Sequence, residues 1–132
     1  MEFRKEIKAM ELLSPGARFG KEIQLVEYRE DPLTGSCSRI NVRRAERTRQ
    51  APRGEIDLGQ MIEETKEGCF FCPQNIEQRT PKFPPQISPQ GRIERGQCLL
   101  FPNLFPFAEY HAVATLTRHH FLELDEFSAE MI

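Results

Sequence analysis

The sequence predicts an α+β fold, an antiparallel sheet with flanking helices, and three observations carry that expectation. Two alternating stretches, 23–28 and 37–42, flank Asp31-Pro32-Leu33-Thr34-Gly35, where Pro and Gly occupy turn-favouring positions. Ahead of them Phe3, Ile7, Met10 and Leu13 recur at helical spacing with Lys and Glu between. Two further strand-like runs, 93–101 and 111–117, are separated by the proline-containing stretch 102–107.

Taken in order, residues 3–13 read as an amphipathic helix stopped by Ser14-Pro15-Gly16. The stretches 23–28 and 37–42 then form a hairpin about the Asp-Pro turn. Residues 45–60, rich in Arg, Pro and Gly, read as an irregular connection. A cysteine-containing turn follows, then a loop over 81–89 with too many prolines for a central strand. The Gly91 turn leads into 93–101. From Asp125 the spacing of Phe127 and Met131 suggests a helix that the end of the chain cuts off, so the chain reads as truncated within an element.

The 132 residues suit one domain. Ten phenylalanines and no tryptophan suggest a core built largely on Phe, with Phe101, Phe105 and Phe107 in it. A net charge of −2 excludes a general basic footprint for nucleic acid. Charge is nevertheless local: Arg39, Arg43, Arg44, Arg47, Arg49 and Arg53 crowd one segment. With no signal peptide, the four cysteines read as reduced thiols in a cytoplasm. No apolar run approaches the ~20 residues that cross a bilayer, so no membrane partner is expected.

Cys69-Phe70-Phe71-Cys72 is the stretch richest in chemistry. A tight turn aims two sulfurs three positions apart at one point, the usual half-site for tetrahedral zinc, with Zn–S near ~2.3 Å. The same spacing also marks redox motifs and buried turns. Cys37 and Cys98, in strand contexts, read as core thiols. Arg44 and Arg47 carry guanidinium forks suited to phosphate oxygens, although Arg-rich runs are commonly solvated surface. Asn103, between two prolines in an apolar loop, needs a partner and can also tie down its own turn.

Four ordered motifs resemble the N-terminal half of the galactose-1-phosphate uridylyltransferases, nucleotidyltransferases of the histidine-triad superfamily. They are the 28–35 hairpin with its Asp-Pro-x-Thr-Gly, Arg44-Ala45-Glu46-Arg47, the 69–75 segment with Thr80-Pro81, and Phe101-Pro102-Asn103-Leu104-Phe105-Pro106 followed by His111 and Thr117-Arg118-His119-His120. The match runs from about residue 25 onward. Gln74 and Thr117 depart from the pattern, and the His-Pro-His-like motif that supplies the family's nucleophile does not occur.

The resemblance implies half of a histidine-triad-type uridylyltransferase fold. It implies uridylyl transfer between a nucleotide sugar such as UDP-glucose and a sugar phosphate, hence a role in galactose metabolism. Zinc would sit on Cys69, Cys72 and His120. The register of Leu124, Glu126, Phe127 and Ser128 selects His120 over His119, while the pair also reads as a polar strand end. Arg44, Arg47 and Asn103 would contact the nucleotide; His111 would have a structural or phosphate-side role by the resemblance, while its own context reads rather as a satisfied strand histidine. No catalytic residue is assigned, so a separate C-terminal half or a homodimer would be needed. A non-catalytic zinc- and nucleotide-binding module and a degenerate fragment are the rival readings.

Overall fold

The computed structural model describes residues 4–47 and 57–131. Phe3, Arg49, Arg53 and most of the expected irregular connection lie outside the described residues. The fold is α+β, with two three-stranded antiparallel sheets and two α-helices.

The first sheet overturns the expected N-terminal helix. Residues Arg4–Ser14 form strand β1, paired antiparallel with β2, Gly20–Glu30, over eleven rungs from Arg4↔Glu30 to Ser14↔Gly20. The reason lies in the period of burial. Met10, Leu12 and Ser14 are buried, which is alternation, and fully buried Leu12 is absent from the helical stripe. Ile7, a member of that stripe, is 54% exposed. Lys5–Glu27 and Lys21–Glu11 link the strands at 2.8 and 2.5 Å, and such solvent-screened surface pairs add little to stability.

Ser14-Pro15-Gly16 is therefore no helix stop but the start of a chain reversal. A 3₁₀ turn, Pro15–Ala17, leads into Arg18 and Phe19 at φ of 52° and 60°. The Phe19 N–H then donates to Ser14 O at 2.8 Å.

The hairpin from β2 to β3, Cys37–Ile40, forms as expected. Asp31 builds its turn: its carboxylate accepts from Leu33 N at 2.9 Å and Thr34 Oγ1 at 2.8 Å, and Gly35 takes φ 71°. Those donors, the Leu33 amide first, hold the Asp31 carboxyl below its ordinary range. Cys37 is exposed, so it is not the core thiol expected, because β3 is an edge strand with little packed on it; Cys98 is half-buried.

Two helices follow. Leu58–Lys66, α1, is capped by Asp57 accepting from Gln60 N at 3.0 Å. It replaces the end of the expected irregular connection, which composition alone concealed because the helix buries no side chain. Pro73–Arg79, α2, starts from Cys72 with Pro at its first position and buries Ile76. Arg92, 8% exposed, clamps its far end: Nη2 donates to Ile76 O, Glu77 O and Thr80 O at 3.1, 3.0 and 2.8 Å.

The second sheet runs β4 (Ile93–Arg95), β5 (Cys98–Pro102), β6 (Ala112–Thr115). The single strand expected over 93–101 is a hairpin, broken at Gly96 with φ 60°. Ile76, Leu99 and Phe101 pack together with Val113 against them. The proline loop is a loop as expected. It also ties the sheets, since Leu13 and Lys82 exchange backbone hydrogen bonds at 2.9 and 3.0 Å.

The core is less phenylalanine-rich than composition suggests. Among the described residues only Phe83 and Phe101 are buried; Phe105 is half-buried, and Phe70, Phe71, Phe107, Phe121 and Phe127 are 38–48% exposed. The expected C-terminal helix is replaced by two 3₁₀ turns, Leu124–Glu126 and Ala129–Met131. With Leu124 90% exposed, little burial is available to offset the cost of nucleating an α-helix. No helix among the described residues is long and apolar enough to cross a membrane.

Candidate metal centre and adjoining cleft

Cys69 lies three residues beyond the end of α1, and Cys72 is the N-cap of α2. Gly68, at φ 78°, turns the chain between the helices, and Cys69 N donates to Lys66 O at 3.3 Å. Asn75 secures the turn from α2, its Nδ2 donating to Cys69 O at 2.9 Å. His120 arrives from the segment after β6 and places Nδ1 3.2 Å from Cys72 Sγ.

The two sulfurs and one imidazole nitrogen all lie within 4.8 Å of one another. A single ion at ordinary metal–sulfur and metal–nitrogen distances bridges such a set, so Cys69, Cys72 and His120 can hold a metal ion. Burial raises the Cys72 thiol above its usual range, and the neighbouring Cys69 thiol adds to the effect. A bound cation opposes both, because it stabilises the thiolate. His119, next in the chain, is exposed and outside the cluster.

On the other side of Phe71 lies a cleft of about 250 Å³ whose lining includes Arg47, Phe70, Arg79, Thr80 and Asn103. Phe71 lines this cleft and the metal-side cavity alike. Arg79 holds its guanidinium 4.8 Å above the Phe70 ring centroid and donates from Nη1 to Gly68 O at 2.7 Å. Arg79, Phe70 and Phe71 were not singled out from sequence as contact residues; the signal available was their place beside the cysteines.

The three expected nucleotide contacts do not stay together. Arg47 and Asn103 face the cleft, but Arg44 is absent from its lining. Its guanidinium sits 3.3 Å from the Phe107 ring centroid, and Nη1 donates to Phe105 O at 2.5 Å. Arg44 belongs to a clamp. Gln24 Nε2 donates to Leu104 O at 2.6 Å, and Asn41 Nδ2 donates to Pro106 O at 3.0 Å and to Gln24 Oε1 at 3.0 Å. Three consecutive carbonyls of the loop carrying Asn103 are thus bound by three side chains from the first sheet and the turn after it. Gln24 and Asn41, 1% and 6% exposed, are among the most buried polar residues described. Nothing in their local sequence marked them.

Asn103 does tie its own turn, with Oδ1 accepting from Phe105 N at 2.9 Å, while Nδ2 lies 3.4 Å from His111 Nε2. His111 Nδ1 accepts from Phe107 N at 2.9 Å, which leaves the proton of the neutral ring on Nε2. Two donors then face each other across the Asn103–His111 gap, so that approach is packing and not a hydrogen bond. Burial, reinforced by the Arg44 charge, lowers the His111 pKa.

The chain is 35% identical over 130 residues to an uncharacterized protein of Archaeoglobus fulgidus. That match covers 98% of this chain and 36% of the relative, so the chain spans about a third of the relative's length. No protein-family model matches the chain, and neither does any solved structure.

Proposed function

We propose that this chain is the zinc- and nucleotide-contacting part of a nucleotidyltransferase of the galactose-1-phosphate uridylyltransferase kind. The observation that carries the reading is adjacency: a soft-donor cluster and a cleft bearing Arg47 and Asn103 share the Phe71 ring as a wall. Two thiolates and an imidazole favour zinc over harder ions. The four free thiols suit a reducing cytoplasm.

At about 250 Å³ the cleft falls below the ~300–1,000 Å³ of sites that enclose drug-sized ligands, so it accommodates part of a nucleotide sugar. Phe70 and Phe71 offer faces for a base, and the Arg47 fork offers donors for phosphate oxygens. Zinc, when bound, holds the 69–72 turn and the His120 segment together.

None of the three histidines is free to attack phosphorus from this cleft. His120 belongs to the metal cluster, His111 Nδ1 is occupied by an amide, and no histidine lines the cleft. The same fact supports a binding role without catalysis as a second reading, with the nucleophile supplied by another polypeptide. Nucleotidyl transfer through a covalent intermediate requires such a nucleophile.

Calorimetric titration of UDP into zinc-loaded protein tests the proposal. Saturable binding in the micromolar to millimolar range, weakened by Arg47→Ala, is expected. Binding unchanged by Arg47→Ala and by Asn103→Ala would remove the cleft from consideration. UDP-glucose labelled in the α-phosphate should leave no label on the protein in a denaturing gel. An acid-labile labelled band lost on substituting one histidine would show that this chain carries its own nucleophile.

A further inference from the structure

The His120 ring is held on the side away from the cysteines as well. Its Nε2 lies 3.1 Å from Thr65 Oγ1, and that hydroxyl lies 2.7 Å from Met61 O one helical turn earlier. The short contact to Met61 O, with Ile62 O further off at 3.3 Å, indicates the direction of the chain. A carbonyl only accepts, and at 2.7 Å Met61 O is the nearest partner for the one hydroxyl hydrogen; with that bond made, Thr65 Oγ1 accepts from Nε2–H. A neutral imidazole with its proton on Nε2 keeps its lone pair on Nδ1, the nitrogen that faces Cys72 Sγ at 3.2 Å.

We propose that Thr65 is a positioning residue of the metal centre. It fixes the His120 tautomer and ring angle so that Nδ1 is the metal-donating atom, and it thereby fastens α1 to the centre. The inference rests on the reading of Cys69, Cys72 and His120 as a metal site. Metal-bound histidines generally donate their second ring N–H to an oxygen, and here a helix hydroxyl supplies that oxygen. The hydroxyl is itself oriented, because its i−4 bond to Met61 O selects one rotamer of a branched side chain.

The same bond gives α1 a reason to be where it is. The helix has nine residues and buries none of them. A helix that short is marginal on its own. Its described ties toward the centre are Lys66 O, which accepts from Cys69 N, and Thr65, which accepts from His120. Metal occupancy therefore carries over to α1, and amides in 61–66 should exchange with solvent more slowly once the ion is bound.

Zinc affinity measured by competition with a chelating dye, on wild type, Thr65→Val and Thr65→Ser, tests this. Thr65→Val keeps the shape and loses the acceptor; its affinity should fall about ten- to a hundredfold. Thr65→Ser retains the oxygen and should bind nearly as wild type does. In zinc-loaded wild type, ring nitrogen NMR should place the metal on Nδ1 and show a slowly exchanging Nε2–H, which Thr65→Val makes exchange fast. Hydrogen exchange should show zinc protecting α1 in wild type and Thr65→Ser but not in Thr65→Val. Zinc on Nε2, or equal affinity in wild type and Thr65→Val, would overturn the role of Thr65 while leaving the metal centre standing. A wild-type chain that takes up no zinc would defeat the metal centre and this inference together.

Discussion

In the cysteine cluster, three side chains from two separate segments meet around one point; in the neighbouring cleft, three side chains expected together are parted. The difference follows from what each group needs. Two thiols on one turn are brought together by local geometry, and a single distant imidazole then completes the set. An arginine is satisfied by any carbonyl or ring within reach of its long side chain, so its role depends on tertiary neighbours that a sequence does not display. Arg44 found Phe105 O and Phe107; Arg47, three residues on, remained in the cleft.

The largest effect is expected at the cysteines. Cys69→Ser/Cys72→Ser should lower zinc content from roughly one ion per chain to background, since a lone imidazole does not make a zinc site. Elemental analysis after dialysis against a weak chelator reads this directly, and equal content in both proteins would remove the site. Next comes the clamp. Asn41→Leu leaves Pro106 O and Gln24 Oε1 without a donor, at a cost of about 1–3 kcal/mol per orphaned buried group in urea denaturation. A change within ±0.5 kcal/mol would mean that water replaces the amide without loss.

A smaller effect separates the two arginines. Arg47→Ala should weaken UDP binding by roughly tenfold, about 1.4 kcal/mol, and leave the thermal midpoint unchanged. Arg44→Ala should lower the thermal midpoint as well as affinity, because it releases Phe105 O and the loop. Identical behaviour of the two variants would dissolve the distinction drawn between them.

The smallest effect is a pH dependence at His111. Its folded pKa lies below the ordinary value near ~6.5, so the unfolded chain binds the proton more readily. The stabilising contribution is full above the unfolded pKa and is lost as pH falls through the folded one. Protonation at Nδ1 also removes the acceptor for Phe107 N. The thermal midpoint of wild type should therefore fall more steeply below about pH 6.5 than that of His111→Leu; parallel curves would exonerate the imidazole.

How far the sequence could be read varies along the chain in a physically consistent way. The Asp31 hairpin, the proline loop and the α+β class were legible because turn chemistry is local. The resemblance put His120, and not His119, with Cys69 and Cys72, and those three do lie in one cluster that could hold a metal ion. The N-terminal helix was misread because Phe3, Ile7, Met10 and Leu13 make a helical stripe while Met10 and Leu12 also alternate. Pairing with β2 decided between these periods, and that partner begins six residues beyond the end of β1. Helix α1 was missed because it buries nothing, so no apolar stripe announced it. Gln24 and Asn41 were missed because their work is done on main-chain atoms 80 and 65 residues away, respectively.

Side chains that grip main-chain atoms divide the chain into positions that tolerate change and positions that do not. Gln24, Arg44 and Asn41 grip Leu104 O, Phe105 O and Pro106 O, atoms that nearly every residue type presents alike. The loop's identity is thus free to drift at 104 and 105 so long as its backbone path is kept, whereas the three donors are confined to side chains with the right reach. Saturation mutagenesis scored for folded protein should show this asymmetry: many residues accepted at Leu104, few at Gln24 and Asn41. A lineage carrying this fold can retune the rim of its cleft through the loop while the clamp beneath stays unaltered.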